Sequence, residues 1–279
     1  MRPAAVTAVE QGQQQAALLA APYVAGTLQQ QGAQSAPVGA LLIGALAGRS
    51  AGGLPLSMLL DYAWAYLRRA LDLGVPSAGA RAFGLSKLLT YTSTEIGDAG
   101  RVGVQIATAL QPKLVGYVRL VHLPACGRCI QLAGRLYRYS KGFLRHPRCD
   151  CQMKPVTGTQ WRKQYRGQDP QALFEEMTPT QQAKAFGVRE AEAIRAGADI
   201  HRVVNARRKG ALYVAGGYEY THEAATMRGV GRQLGQLRKQ PGNRYRITGV
   251  RRPTPAQLMD ATDDRDELIR QLRRFGYVR

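Results

Sequence analysis

Cysteine is scarce in this chain, and the few cysteines it has are confined to one short stretch. Of 279 residues only four are cysteine, and all four lie within residues 126–151. Residues 1–20 hold Glu10 and a run of glutamines where a secretory signal peptide has its apolar core. We therefore expect the protein to be made in a reducing cytosol, where clustered cysteines serve as metal ligands or catalytic groups more often than as disulfides.

Long hydrophobic runs are missing as well. The most apolar stretch, residues 36–48, is short and rich in small side chains, whereas a helix needs about 20 apolar residues to cross a bilayer. We therefore expect no membrane partner. Hydrophobic residues still make up 45% of the chain, which is enough for a sizeable core, and 279 residues suggest two or three modules.

Acidic residues are few for a chain of this length. There are 19 Asp and Glu against 39 Lys and Arg, which gives a formal net charge of +20. The excess is concentrated in two blocks: residues 126–168 hold ten basic residues and one acidic residue, and residues 231–279 hold twelve and five. Such blocks attract nucleic acid, acidic protein surfaces or anionic lipid. A solvated surface in an arginine-rich proteome is the alternative interpretation.

Common catalytic signatures do not stand out. No GxSxG, HExxH, Walker or GxGxxG pattern stands out; these are the motifs of serine hydrolases, zinc proteases, P-loop NTPases and dinucleotide-binding enzymes. We therefore expect a protein that is not an enzyme and that has no small-molecule substrate.

The residues that are present predict a mainly helical α+β fold. We divide the chain into three regions: a helical region over 1–112, a small β-containing zinc-binding module over 113–168, and a basic C-terminal region of short helices over 169–279. The stretch 31–54 is rich in Gly, Ala, Ser and Pro, and we interpret it as a flexible connection within the first region.

Local patterns support these assignments. Residues 113–124 and 135–140 alternate in the manner of strands. Thr254 and Pro255 form a typical helix start, and Leu268, Leu272 and Phe275 lie on one side of a final helix. In the helix predicted within 54–74, helical spacing places these apolar residues on one face: Leu59, Tyr62, Ala63, Tyr66 and Leu67.

The cysteine segment has the spacing of a zinc site. Cys126 and Cys129 form a CxxC turn, and His146, Cys149 and Cys151 follow after sixteen intervening residues. Five candidates exceed the four ligands of tetrahedral zinc, and the sequence leaves open whether His146, Cys149 or Cys151 is the spare one. A filled site has no open position, so we expect the Zn²⁺ to be structural. A redox CxxC and a His-based zinc nuclease are weaker alternatives, because the βαβ context and a second metal-adjacent histidine are missing.

Basic side chains are interleaved with these ligands. The predicted nucleic-acid-binding surface consists of Arg128, Arg135, Arg138, Lys141, Arg145 and Arg148. Tyr137 and Tyr139 lie among them. Arginine beside tyrosine suits stacking on nucleic-acid bases, but it suits a packed hairpin equally well.

The same segment resembles a known family. Residues 115–156 contain a Gly-Tyr-Val-Arg strand, the CxxC turn, Leu-Ala-Gly, Gly-Phe-x-Arg-His-Pro-x-Cys-Asp-Cys and a closing Pro-Val. In these motifs the chain is similar to the central domain of Mu F-like minor head proteins of tailed phages, particularly those of actinobacteriophages. Residues 190–208 and the final residues are similar to later parts of such proteins, so the resemblance covers most of the chain from about residue 55.

The resemblance implies a virion protein of the phage head, made in the bacterial host cytoplasm. It implies a minor capsid protein that acts in head assembly or morphogenesis near the portal. The implied partners are the portal protein and other head proteins, with packaged double-stranded DNA as a further contact. Some relatives are labelled capsid maturation proteases, so a protease, or a zinc-dependent DNA-binding protein or nuclease, is the alternative function.

Overall fold

The computed structural model describes residues 2–138, 141–142, 151–165, 169–239, 241–242 and 244–278. Within these residues the chain is an α+β protein in which helices predominate and all sheets are small and antiparallel. The helices are α1 (Arg2–Leu18), α2 (Ala20–Gln30), α3 (Leu56–Asp72), α4 (Ser77–Ala109), α5 (Gly127–Gln131), α6 (Gly158–Gln160), α7 (Pro170–Glu175), α8 (Pro179–Phe186), α9 (Val188–Arg195), α10 (Ile200–Ala206), α11 (Gly231–Leu234), α12 (Pro255–Ala261) and α13 (Arg265–Arg274). The strands are β1 (Leu114–Leu120), β2 (Leu136–Tyr137), β3 (Gln152–Thr157), β4 (Leu212–Ala215), β5 (Tyr218–Thr221), β6 (Leu237–Arg238) and β7 (Ile247–Thr248).

The chain divides into two compact units. The first comprises residues 1–122 and 133–168, and the second comprises residues 123–132 and 169–279. The CxxC turn therefore belongs to the second unit, and Cys151 belongs to the first.

The long helix α4 is the central helix of the first unit, and small residues let other helices approach it closely. A Cβ added at Gly100 would lie 3.3 Å from the Cβ of Ala16, and one added at Gly103 would lie 2.9 Å from the Cβ of Ala20. Side chains of ordinary size would push the helices apart at both points. Glycine is therefore required here for its size.

Helix α3 packs on the same unit through a face that only partly coincides with the apolar face predicted from the sequence. Leu56, Leu60, Ala63 and Ala70 are buried, at spacings of four, three and seven residues. Leu56 and Leu60 form a core cluster with Val9 of α1. Of the residues that the sequence places on one apolar face, Ala63 is buried, whereas Tyr62 and Tyr66 are 48% and 37% exposed. The helix is apolar on more than one side, so periodicity alone does not identify the buried side.

The three-stranded sheet of the first unit has the order β2-β1-β3, and its strands β1 and β2 confirm the two strand predictions. Tyr117 pairs with Tyr137 across β1 and β2, and their rings stack 5.8 Å apart. The Tyr117 hydroxyl donates a hydrogen bond to the carbonyl of Lys141. Burial raises the pKa of Tyr117 to about 12; neighbouring Tyr137 also raises this pKa, and Arg119 lowers it.

Helix α2 covers the open edge of β3. The Gln31 side-chain amide donates to the carbonyl of Pro155 at 2.8 Å, and its oxygen accepts the backbone N–H of Thr157 at 2.9 Å. The hydroxyl of Tyr23 donates to the carbonyl of Met153 at 3.0 Å. Unpaired edge groups are a template for aggregation, and here side chains of α2 satisfy them. Proline is tolerated at position 155 because β3 is an edge strand.

The second unit is built from short, well-capped helices. Side chains at the N-caps accept backbone N–H groups at the starts of α7, α8, α10, α12 and α13. Thr254 caps α12 with Pro255 in the first turn, as the sequence predicts. Leu268, Leu272 and Phe275 are buried, which confirms the predicted apolar side of α13.

A buried arginine holds the C-terminal end of the second unit in place. Arg252 is 1% exposed, and its guanidinium donates to the carbonyls of Phe275 at 2.9 Å and Glu223 at 3.0 Å. The guanidinium carbon lies 3.9 Å from the ring centroid of Tyr277. Burial is the largest influence on the pKa of Arg252 and lowers it. The two carbonyl groups and the ring of Tyr277 thus compensate this buried charge.

Among the described residues, no helix combines the length and the hydropathy that crossing a membrane requires.

The sheet of the first unit depends on glycine at position 116. Gly116 has a φ of 150°, at a point where the register between β1 and β3 shifts. A Cβ at this position would overlap the backbone carbonyl oxygen of Tyr137. We expect Gly116→Ala to lower the free energy of unfolding by about 2 kcal/mol or more, because backbone has to move to relieve the overlap. Urea denaturation followed by circular dichroism measures this change.

Gly26 supplies the matched control. It lies inside α2, and a Cβ added there meets no atom within 4 Å. Gly26→Ala should therefore raise stability by about 0.5–1 kcal/mol, because alanine favours helix. Equal effects of the two substitutions would contradict the described packing at Gly116.

Candidate functional site

The CxxC turn forms the start of helix α5 in the second unit. Cys126 is the N-cap of α5, and its sulfur accepts the backbone N–H of Cys129 at 3.4 Å. Cys129 is 3% exposed, and Cys126 is partly exposed. A sulfur that accepts an N–H in this way is compatible with a metal-bound thiolate.

Neighbouring helices of the same unit fix the position of this turn. Gly127 lies against the ring of Phe186, where an added Cβ would be 2.8 Å from a ring carbon. The guanidinium of Arg128 donates to the side-chain oxygens of Gln131 at 2.9 Å and Asn205 at 3.0 Å. Arg128 is thus partly buried and engaged within its own unit. These contacts within the second unit restrict the motion of the turn, and a restricted turn loses less entropy when a ligand binds.

Cys126 borders an open cavity of about 480 Å³. Thr180, Gln181 and Lys184 of α8 line the same cavity, with Pro124 and Ala125 of the chain before the turn. The Cys126 side chain is therefore accessible from outside the second unit, whereas Cys129 is not.

The remaining predicted zinc ligands do not lie beside the CxxC turn in the described structure of the second unit. Cys151 directly precedes β3 in the first unit and is 3% exposed. His146 and Cys149 lie outside the described residues. Within the described part of the chain, no group of three or more His, Cys, Asp or Glu side chains is placed to hold a metal ion. The zinc site and its choice of ligands stay a prediction.

The predicted nucleic-acid-binding residues have different surroundings. Arg135, Arg138 and Lys141 are exposed in the first unit, and Arg135 lies 5.5 Å from the ring centroid of Tyr137. Tyr137 itself is half-buried against Tyr117 and takes part in hairpin packing. Arg145 and Arg148 lie outside the described residues, as does Tyr139.

One short motif of a catalytic type has a structural explanation. Residues 48–52 read Gly-Arg-Ser-Ala-Gly, a match to the GxSxG pattern around the nucleophile of α/β-hydrolases that the sequence analysis missed. In those enzymes the serine sits exposed on a strand-to-helix turn. Here Ser50 is 9% exposed, and its hydroxyl oxygen accepts the backbone N–H of Leu54 at 3.0 Å. Ser50 stabilises a tight turn and does not have the setting of a nucleophile.

The sequence analysis missed an exposed apolar face on the first unit. We call it the aromatic face; it consists of Met58, Tyr62 and Tyr66 of α3, Leu73 at the C-terminal end of α3, and Phe83 of α4. Their exposure runs from 37% for Tyr66 to 74% for Leu73. The first four recur at spacings of four, four and seven residues along one side of α3 and its C-terminal end, next to the buried side. An additional apolar stripe on a helix that already has a buried one is the sequence signal for such a face.

Rings at the centre of the aromatic face contact one another across the two helices. Tyr66 and Phe83 meet edge to face with ring centroids 5.9 Å apart. The ammonium group of Lys87 lies 5.0 Å from the ring centroid of Tyr66 and 5.2 Å from that of Phe83. Partial burial raises the pKa of Tyr91, and neighbouring Tyr66 adds to the rise. These contacts hold the exposed rings in one arrangement.

Comparison with known proteins places part of the chain in a viral context. Residues 67–180, about two fifths of the chain, match the VG15 protein family. This is a family of phage gene products, and the match supports a phage protein. No curated protein and no solved structure matches the chain. The matched segment includes all of α4, the three-stranded sheet and the CxxC turn.

The zinc prediction can be tested directly. Protein purified without chelator should contain about one zinc ion per chain, measured by inductively coupled plasma mass spectrometry. Cys126→Ser and Cys129→Ser should each lose most of this zinc and lower the melting temperature, because a structural metal adds its binding free energy to folding.

His201 provides a control because it is exposed and lies outside the cysteine segment. His201→Gln should keep the zinc content of the unchanged protein. A zinc content below about half an equivalent in the unchanged protein would refute the site. Full zinc content in both cysteine variants would do the same.

Proposed function

We propose that the protein is a minor capsid protein that acts in phage head assembly near the portal. Two observations support a phage virion protein of this kind: the match to the VG15 family over residues 67–180, and the resemblance of residues 115–156 to Mu F-like minor head proteins. The observation that carries the assembly role is the aromatic face, since it gives the chain a surface for a protein partner.

The aromatic face has the properties of a docking surface. Soluble proteins rarely expose a large contiguous apolar patch unless a partner covers it. Tyrosine, phenylalanine and methionine are enriched in protein interfaces, and the aromatic face presents Tyr62, Phe83 and Met58. The edge-to-face pair and Lys87 hold the rings before binding, which reduces the entropy lost on association. The proposed occupant is the portal protein.

The proposed metal has a structural role. Cys126 and Cys129 would supply two thiolate ligands, and two of His146, Cys149 and Cys151 would supply the others. The zinc ion would contribute binding energy to folding and would leave no coordination position for a substrate. Its support is the donor chemistry: two cysteines in one turn, with an N–H directed at the sulfur of Cys126.

The proposed role also includes a basic surface for packaged DNA or for an acidic capsid partner. Arg135, Arg138 and Lys141 are its exposed members. Their charge supports attraction to a polyanion but does not distinguish DNA from an acidic protein.

The docking proposal predicts a stable complex with the portal protein of the same phage. Co-expression followed by affinity purification should recover both proteins together. The double variant Met58→Glu/Tyr62→Glu should lose at least about 90% of the co-purified portal protein, because it places two charges in the apolar contact.

Leu42 offers a matched control, since it is 76% exposed and lies outside the aromatic face. Leu42→Glu should leave co-purification unchanged. Circular dichroism should show all variants folded. A failure of the unchanged protein to bind the portal protein would exclude the proposed role, and equal losses in the double variant and the control would exclude the aromatic face.

The enzymatic alternatives make a different prediction. Under the proposed function, purified protein leaves the major capsid protein intact, and it leaves DNA intact in the presence of divalent metal. Gel electrophoresis after prolonged incubation measures both. Cleavage that a single substitution such as His146→Ala abolishes would establish an enzyme in place of an assembly protein.

A further inference from the structure

The second unit carries a separate concentration of positive charge. Residues 224–259 contain eight arginine or lysine side chains and no aspartate or glutamate. Seven of the eight are exposed, and Arg252 is the buried exception. This stretch lies outside the cysteine segment and outside the residues matched by the VG15 family.

The fold brings arginines from distant parts of this stretch onto neighbouring backbone segments. Strand β7 lies between two segments: Arg238 of β6 pairs with Ile247 on one side, and the N–H of Met227 donates to the carbonyl of Arg246 at 2.9 Å on the other. We call this structure the arginine ribbon and define it by its exposed basic residues: Arg228, Arg238, Lys239, Arg244 and Arg246.

A tyrosine lies among these charges. The guanidinium carbon of Arg228 is 4.4 Å from the ring centroid of Tyr245, and that of Arg244 is 5.4 Å away. The ring is partly exposed. The two cation–π contacts limit the motion of both arginines, so less entropy is lost when a ligand binds them.

The four arginines of the ribbon differ in their ion pairing from other exposed arginines of the same unit. Arg189 pairs with Asp260 at 2.7 Å, Arg270 with Glu267 at 2.6 Å, and Arg208 with Glu223 at 3.6 Å. None of the four ribbon arginines forms an ion pair with a carboxylate of the described residues. Their positive charge is therefore available to an external anion.

We propose that the arginine ribbon binds the phosphate backbone of nucleic acid without sequence preference. Guanidinium groups match phosphate oxygens in charge and in bidentate geometry. An acidic protein is the less suitable partner, because interfaces between proteins have an apolar core. Of the described residues in 224–259, Met227 is the one large apolar side chain that is exposed. This inference does not depend on the proposed assembly function.

The test is a binding titration with short labelled duplex and single-stranded DNA of mixed sequence, followed by fluorescence anisotropy. With four or five phosphate contacts, the logarithm of the duplex association constant should fall with the logarithm of salt concentration at a slope of about −4. In the variant Arg238→Gln/Arg244→Gln/Arg246→Gln, the slope should become shallower by about 2–3 and affinity should drop at least about 30-fold near 100 mM salt.

The control removes the same number of charges from paired arginines of the same unit. Arg189→Gln/Arg208→Gln/Arg270→Gln changes the net charge equally, so it should change affinity less than about threefold if position matters as well as total charge. Circular dichroism and the melting temperature confirm that both triple variants fold. Equal losses in the two triple variants would overturn the proposal.

Further variants and competitors distinguish the ribbon from the basic residues of the first unit and from a site for acidic protein. If Arg135→Gln/Arg138→Gln/Lys141→Gln abolishes binding and the ribbon variant binds normally, the first unit carries the site and the inference fails. Polyglutamate that displaces DNA at equal charge concentration would identify an acidic protein as the partner and would overturn the inference.

Two measurements test the mode of DNA binding. A preference of more than about 100-fold for one DNA sequence would contradict binding through the backbone alone. Tyr245→Ala should weaken single-stranded binding more than duplex binding, because bases stack on an aromatic ring only when they are unpaired.

Discussion

The close approach of α4 to the helices before it determines the arrangement of the whole first unit. Gly100 and Gly103 let Ala16 and Ala20 come within contact distance of the helix. Because α2 is held there, its side chains at Tyr23 and Gln31 reach the edge of β3. One steric condition, small residues on both sides of a helix contact, thereby places the element that covers the sheet. The sheet itself then needs only three short strands.

Sequence patterns predicted the elements whose signals are local. The alternation in 113–124 corresponds to β1, the Thr254–Pro255 pair caps α12, and Leu272 is buried in α13. These features depend on side-chain spacing or on hydrogen bonds within a few residues. The α+β composition and the predominance of helix follow from the same local signals.

Features that depend on contacts between residues far apart in the sequence could not be predicted from sequence patterns. The buried side of α3 is selected by contact with Val9 of α1, and its apolar outward side made the choice ambiguous. Strands β6 and β7 are two residues long, too short for alternation to show. They exist because the chain around Ala225 supplies further backbone hydrogen bonds. At the candidate site, sequence spacing identified the CxxC turn, but it did not assign the turn and Cys151 to different units.

The two units present surfaces of different chemistry, and each has a physical consequence. On the first unit the aromatic face keeps apolar area in contact with water, which is unfavourable by about 25 cal/mol for each Å² until a partner covers it. On the second unit the arginine ribbon concentrates like charges, which repel one another until an anion neutralises them. Both arrangements cost stability in the isolated chain. The ion pairs at Arg189 and Arg270 show that the same unit also carries compensated arginines, so the lack of carboxylates across residues 224–259 is a local property of the ribbon. Arginine side chains without a carboxylate partner among the described residues, two of them held against a tyrosine ring, form the arrangement that a polyanion recognises.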